Sequence, residues 1–225
     1  MTKTAALVAS AVLSLLAGSA LAGQPGKAGT RANAPPAWSG GDMLYNQNNH
    51  YGYAIVSQNF TSGSQGTADN AAAADDFVVP KGETWKVTEV DVTGEYFYLS
   101  GPATSEVMTF YKNENGHPGT VLGQPQKLNC TETSGSFACA IKPVTLRGGP
   151  KGKRYWISFV ANCDYKKCGG WGWVQNTITH RNPGQWENPG GGLGLGCTSW
   201  SATSTCNLQT GGANDFAFDL RGKTN

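Results

Sequence analysis

The sequence predicts an all-β chain, an antiparallel two-sheet sandwich of jelly-roll type. Three observations carry that expectation. After residue 22 no window offers Ala, Leu, Glu and Lys at the 3.6-residue spacing of a long helix. Glycine is abundant, 31 of 225 residues, and falls between short apolar runs, as it does where turns join strands. The stretch from Ala73 to Leu99 then reads as strand, turn, strand. Phe77-Val78-Val79 stops at Pro80, Lys81-Gly82-Glu83 makes the turn, and the run from Trp85 to Tyr98 alternates polar and apolar residues. The alternation slips at Thr88-Glu89. That places a bulge there, because one extra residue returns Val90 and Val92 to one face.

The remaining elements follow the same logic in order. Met43-Leu44-Tyr45 predicts a short first strand, and Asn46 to His50 a polar loop. Ile55-Val56 continues into Phe60 as a second strand, and Ser62 to Asn70 is a flexible loop. After the central pair, Val107 to Tyr111 is a strand closed by the turn formers from Asn113 to Gly119. Short strands follow at Val121-Leu122, Gln126–Cys130, Phe137–Ile141 and Val144–Leu146. Arg154 to Ala161 is apolar on nearly every residue, which predicts a strand covered on both faces. Trp171 to Val174 is another. Phe216, Phe218 and Leu220 alternate with Ala217, Asp219 and Arg221, a last strand with one wet face. About ten short strands with connections this brief pair antiparallel, and two packed sheets bury them.

Residues 1–22 have a basic start at Lys3, an apolar run from Ala5 to Leu16, and small residues at Ala20 and Ala22. They predict a signal peptide cleaved after Ala22. The run is shorter than the roughly 20 residues of a membrane span, and no later stretch is apolar enough to form one. Residues 23–41 are rich in Gly, Ala and Pro and read as a flexible linker; residues 42–225 form a single domain. Cleavage leaves 203 of the 225 residues and, with Lys3 gone, takes the formal charge from +2 to +1. Such a balance argues against nucleic acid as a partner. The nearest approach to a basic cluster, Lys151 to Arg154, opens a strand from its solvated end. The expected location is secreted or periplasmic.

Six cysteines, an even number in an exported chain, predict disulfides. Fifteen connectivities are open, and proximity along the chain favours Cys130–Cys139, Cys163–Cys168 and Cys197–Cys206. Zinc is disfavoured, since no CxxC occurs.

Few constellations could carry chemistry. His50, His117 and His180 sit in loop-like settings; HExxH, GxSxG and P-loop patterns are absent. Glu89, Asp91, Glu95 and Glu106 could supply paired carboxyls, though solvent-facing strand positions explain them as well. Asp75-Asp76 and Asp215 precede strand-forming phenylalanines and could meet as hard oxygen ligands for a structural calcium ion; turn chemistry explains them equally. The strongest hint is aromatic. Trp171, Trp173, Trp186 and Trp200 fall within 30 residues of a Gly-rich segment. Flat, rigid rings left uncovered by such loops make platforms for sugar faces, with Trp186 the most exposed; the other reading is a core role, surest for Trp85 and Trp156.

LYNQ (Leu44–Gln47), AADDFVVP (Ala73–Pro80), W-x-V-x-x-V-x-V-x-G-x-Y (Trp85–Tyr96), SGPA (Ser100–Ala103), YWIS (Tyr155–Ser158) and WGW (Trp171–Trp173) together resemble a recurrent, uncharacterised exported bacterial β-sandwich domain. The resemblance runs from Leu44 to Gly222. It implies fold and export, and no catalytic residue. The sequence therefore favours a non-catalytic module binding an extracellular polysaccharide or other cell-surface ligand. The alternatives are a carboxylate-dependent glycosidase or lyase, and a structural or adhesive surface protein.

Overall fold

β-Branched and aromatic residues at period two, cut by Gly, Pro and Asn, give strands almost throughout. The computed structural model describes residues 40–61, 66–208 and 215–225. The expected signal peptide, the linker up to residue 39 and residues 62–65 of the expected flexible loop lie outside them. In chain order the strands are β1 (Asp42–Asn46), β2 (Tyr51–Val56), β3 (Gln58–Phe60), β4 (Ala72–Val79), β5 (Thr84–Val92), β6 (Gly94–Phe97), β7 (Ser105–Glu114), β8 (His117–Val121) and β9 (Gln126–Leu128). They continue as β10 (Thr131–Thr133), β11 (Ser136–Arg147), β12 (Lys153–Cys163), β13 (Gly170–Asn176), β14 (Gln185–Glu187), β15 (Ser201–Ala202), β16 (Asp215–Phe216) and β17 (Phe218–Thr224). A four-residue helix, α1 (Tyr165–Cys168), begins at Asp164, whose side chain accepts the Lys166 N–H.

Two large sheets pack face to face. One has the order β1-β17-β5-β11-β10; the other has β15-β14-β4-β12-β7-β8, with β3 and β9 alongside β12 and β7. β12 is central, flanked by β4 and β7, and its residues from Tyr155 to Ala161 are buried, as a run of apolar residues requires. The core is aromatic. Phe77 of β4 stacks parallel on Trp85 of β5 at 6.2 Å, and Phe137 of β11 meets Phe159 of β12 at 5.5 Å, so each pair joins the two sheets.

Three features depart from the expected two-sheet, purely antiparallel plan. A third, smaller sheet forms where β13 pairs with β2, β6 and β16. It arises because three strands bend out of the large sheets: β2 runs into β3 at Ser57, β5 into β6 at Thr93, and β16 into β17 at Ala217. Backbone bonds from Thr93 N to Ala217 O, Val174 N to Thr93 O and Ala217 N to Val174 O knit the corner. Secondly, β3 runs parallel to β12 over three residues. Thirdly, the segments expected at Phe137–Ile141 and Val144–Leu146 are one strand, β11, interrupted rather than ended.

The interruption matters below. Ala140 faces Glu89 and Val144 faces Val87, so β11 places Ile141, Lys142 and Pro143 where β5 has only Thr88. On its other side β5 pairs Glu89 with Arg221 and Val87 with Gly222, leaving Thr88 as the extra residue of the bulge expected there. The three disulfides join Cys130 to Cys139, Cys163 to Cys168 and Cys197 to Cys206, with Cα separations of 4.5, 6.2 and 5.6 Å.

Candidate functional site

The structure corrects the aromatic platform. Trp171, Trp173 and Trp186 are fully buried, and each indole N–H donates to a backbone carbonyl. Trp171 bonds Gly135 O at 2.8 Å, Trp173 bonds Ala217 O at 2.9 Å and Trp186 bonds Val56 O at 2.8 Å. Both ring faces and the polar edge are used inside, so none can stack on a ligand. Trp171 and Trp173 share a strand face, as their spacing requires, but that face is the core, against Phe159. Gly94 lies against the Trp171 ring; a Cβ there would overlap the indole. Trp200 alone is partly exposed, set edge-on to Tyr111 at 5.9 Å.

The calcium expectation is corrected too. Asp75, Asp76 and Asp215 do converge, but on protein donors. Asp75 accepts from Gln47 Nε2 at 2.6 Å, Phe216 N at 2.5 Å and Asp76 N at 2.7 Å. Asp76 pairs with Arg154 at 2.9 Å, and Asp215 accepts the His180 N–H at 2.6 Å with His180 Nδ1 at 3.3 Å. Burial, then the neighbouring Asp215, holds Asp75 well above the usual carboxylate range. Burial likewise raises Asp76 to about 6 against the pull of Arg154. Among the described residues no group of three or more His, Cys, Asp or Glu is placed to hold a metal ion.

The paired-carboxyl idea meets the same obstacle. Glu89, Asp91 and Glu106 are buried rather than solvent-facing. Asp91 pairs with Arg221 at 3.2 Å, and Glu106 accepts the Cys130 N–H at 3.1 Å. Glu95 is exposed. Glu187, raised by burial to about 7, lines a cleft of about 310 Å³ with Asn59, Thr67 and Asn70, and it is the one carboxyl there.

A larger concavity than that cleft lies elsewhere, in a groove of about 890 Å³ between the two large sheets. The loop from β8 to β9 forms one wall, the interrupted part of β11 the other, and the start of β12 the end. Its floor is apolar, with Leu128 and Leu146 buried beneath it and Tyr155 anchored by its hydroxyl to Arg147 O at 2.9 Å. A strap fixes its width. Gln126 Nε2 donates to Lys142 O at 3.1 Å and Gln126 Oε1 accepts Lys142 N–H at 2.8 Å, so one amide spans from β9 to the bulge of β11. The rim carries Gln124, Asn129 and Thr145, all exposed, and three lysines, Lys127, Lys142 and Lys153. None of the lining residues is an Asp or Glu.

Sequence reasoning missed this site because its residues come from three strands as far apart as 122 and 155. Only Lys153, in the basic run that opens β12, gave any local signal. Tyr98, 64% exposed and not among the groove's lining residues, packs near Tyr165 at 6.1 Å, beside the exposed Leu99.

No protein-family model matches the chain, and no curated protein does. Among solved structures, the cysteine protease and lectin-like domains of Cwp84, a surface layer associated protein of Clostridium difficile, share 15% identity with it at a TM-score of 0.45. The match covers 68% of this chain and 31% of that one. The likeness carries no residue role or activity across. Among the described residues no helix is long and apolar enough to cross a membrane.

Proposed function

We propose that this chain is an exported, non-catalytic module that binds an extracellular polysaccharide in the inter-sheet groove. One observation supports the reading above others: the groove joins an apolar floor to a rim of exposed amides, a hydroxyl and lysines, with no carboxyl in its lining. Sugar rings present C–H faces and hydroxyls together, and a concave site of this make-up meets both. A glycosidase needs two carboxyls about 5–10 Å apart across its cleft. All fifteen Asp and Glu lie within the described residues, and none lines this groove. The three disulfides fit an oxidising compartment, and export rests on the N-terminal sequence.

The test uses the chain without residues 1–22 on a glycan array, followed by calorimetry. Gln124→Ala with Asn129→Ala removes two exposed rim amides and leaves the floor, strap and charges alone. About tenfold weaker binding with an unchanged melting temperature supports the groove as the site, at roughly 1.4 kcal/mol per tenfold. Wild-type affinity in that double variant, or an array on which no glycan binds, overturns the proposal.

A further inference from the structure

We infer that the groove is selective for anionic polysaccharides, whose uronate carboxylates or sulfate esters pair with Lys127, Lys142 and Lys153. The inference rests on the groove being the glycan site. Its own observation is how charge is placed. Residues 40–225 hold fourteen of the seventeen Lys and Arg and all fifteen Asp and Glu, a formal charge of −1. Three positive charges line one groove, so the rest of those residues carry −4. Cationic side chains gathered against the net negative charge of the other residues from 40 to 225 focus the field and raise the local concentration of an anion.

The three lysines are also unspent. Among the described residues none of them forms an ion pair with a carboxylate, and all three are exposed. Two are positioned by the fold. Lys142 sits in the three-residue bulge of β11, its backbone clamped at N–H and C=O by Gln126, and bulges of this kind re-aim a side chain out of the sheet pattern. Lys153 lies with Nζ 5.5 Å from the centroid of the Tyr155 ring, over the groove end. Lys127 is on β9, one residue past the strap. A neutral glycan would gain nothing from leaving three ammonium groups without counter-charges around its site. A chain bearing an anion on successive sugars satisfies them together.

The experiment measures binding of the chain lacking residues 1–22 to polygalacturonate, dextran sulfate, unmodified dextran and duplex DNA at low and moderate salt. The triple variant Lys127→Gln, Lys142→Gln, Lys153→Gln is compared with a control of equal charge change outside the groove, Lys81→Gln, Lys167→Gln, Lys223→Gln. The expected result is binding to polygalacturonate, dextran sulfate or both, weakened by salt. It falls by about tenfold or more in the groove triple and by less than about threefold in the control. Which polymer binds separates carboxylate from sulfate as the group recognised. Equal losses in both triples, or DNA binding tighter than either acidic glycan, overturns the inference. So does a neutral glycan bound as well as an acidic one with lysine-independent affinity, but that outcome leaves the groove a glycan site. Loss of every glycan overturns both readings. Melting temperatures of the variants exclude unfolding as the cause.

Discussion

Trp186 shows how a residue's surroundings decide its role. Between Gln185 and Glu187, in a glycine-rich segment, it reads as an exposed ring. In the fold β14 lies between β4 and the two-residue β15, Trp186 faces Ala73, and the small side chain there admits the indole to the interior. Its N–H then bonds Val56 O, so the ring is fixed at both its apolar face and its polar edge. Trp186→Ala should therefore cost about 3–5 kcal/mol, and lower the melting temperature by many degrees. Trp186→Phe keeps most of the apolar volume but leaves the Val56 carbonyl without its indole partner, which should cost about 1–3 kcal/mol. Thermal unfolding of both variants checks the order. An alanine variant as stable as the parent would return the ring to the surface. The core tryptophans Trp85 and Trp156 were legible from sequence because regular strand patterns surround them. Trp186 was not, because glycine on both sides of a three-residue strand erases the alternation that would give its face.

At the scale of the element, legibility follows regularity. The bulge at Thr88 could be read because apolar residues run on both sides of it and the slip in phase is visible. The interruption of β11 could be seen only as an ending, since Lys-Pro looks like a strand stop and the pairing of Ala140 and Val144 with one continuous β5 is a tertiary fact. The third sheet was invisible for the same reason: nothing local in Ser57, Thr93 or Ala217 says that a strand changes sheets there. The strap across the groove depends on the β11 feature. Gln126→Leu removes both side-chain bonds to the Lys142 backbone at a position half open to water. The expected loss is about 1–2 kcal/mol, with faster hydrogen exchange at the Lys142 amide and little change at β12. An unchanged Lys142 exchange rate would show that the bulge holds its shape without the strap.

Across the whole molecule, the sandwich, its disulfide pairs and its aromatic core were within reach of sequence patterns, while the groove was not. A site assembled from β8–β9, β11 and β12 leaves no contiguous trace. The buried acids were misread as solvated because a strand with acids at Glu89 and Asp91 looks like one with a wet face. Their burial has a consequence for stability. Burial raises Asp75, Asp76, Asp91, Glu106, Glu187, Asp215 and Asp219 above their usual range, with Asp76 and Asp219 near 6 and Glu106 and Glu187 near 7. Glu114 is lowered, by hydrogen bonds from Thr120. A carboxyl with a raised value in the fold binds its proton more tightly folded than unfolded. Between the unfolded value near 4 and the folded values of about 6–7 the native state holds the extra protons, and stability falls as pH rises through that window. Asp76 alone, moved from 3.8 to about 6, would contribute on the order of 3 kcal/mol at the acid end, at about 1.4 kcal/mol per unit. Most proteins lose stability on acidification toward pH 4 because their paired carboxylates must take up protons; here seven buried carboxyls oppose that trend. The urea midpoint should therefore be higher at pH 4.5 than at pH 7.5, with most of the fall between pH 5 and 7. Glu106→Gln, which is uncharged at every pH, should flatten the upper part of that fall. A midpoint that climbs steadily from pH 4.5 to 7.5 would mean that these carboxyls are ionised in the folded protein, and that Arg154, Arg221 and His180 outweigh the cost of their burial.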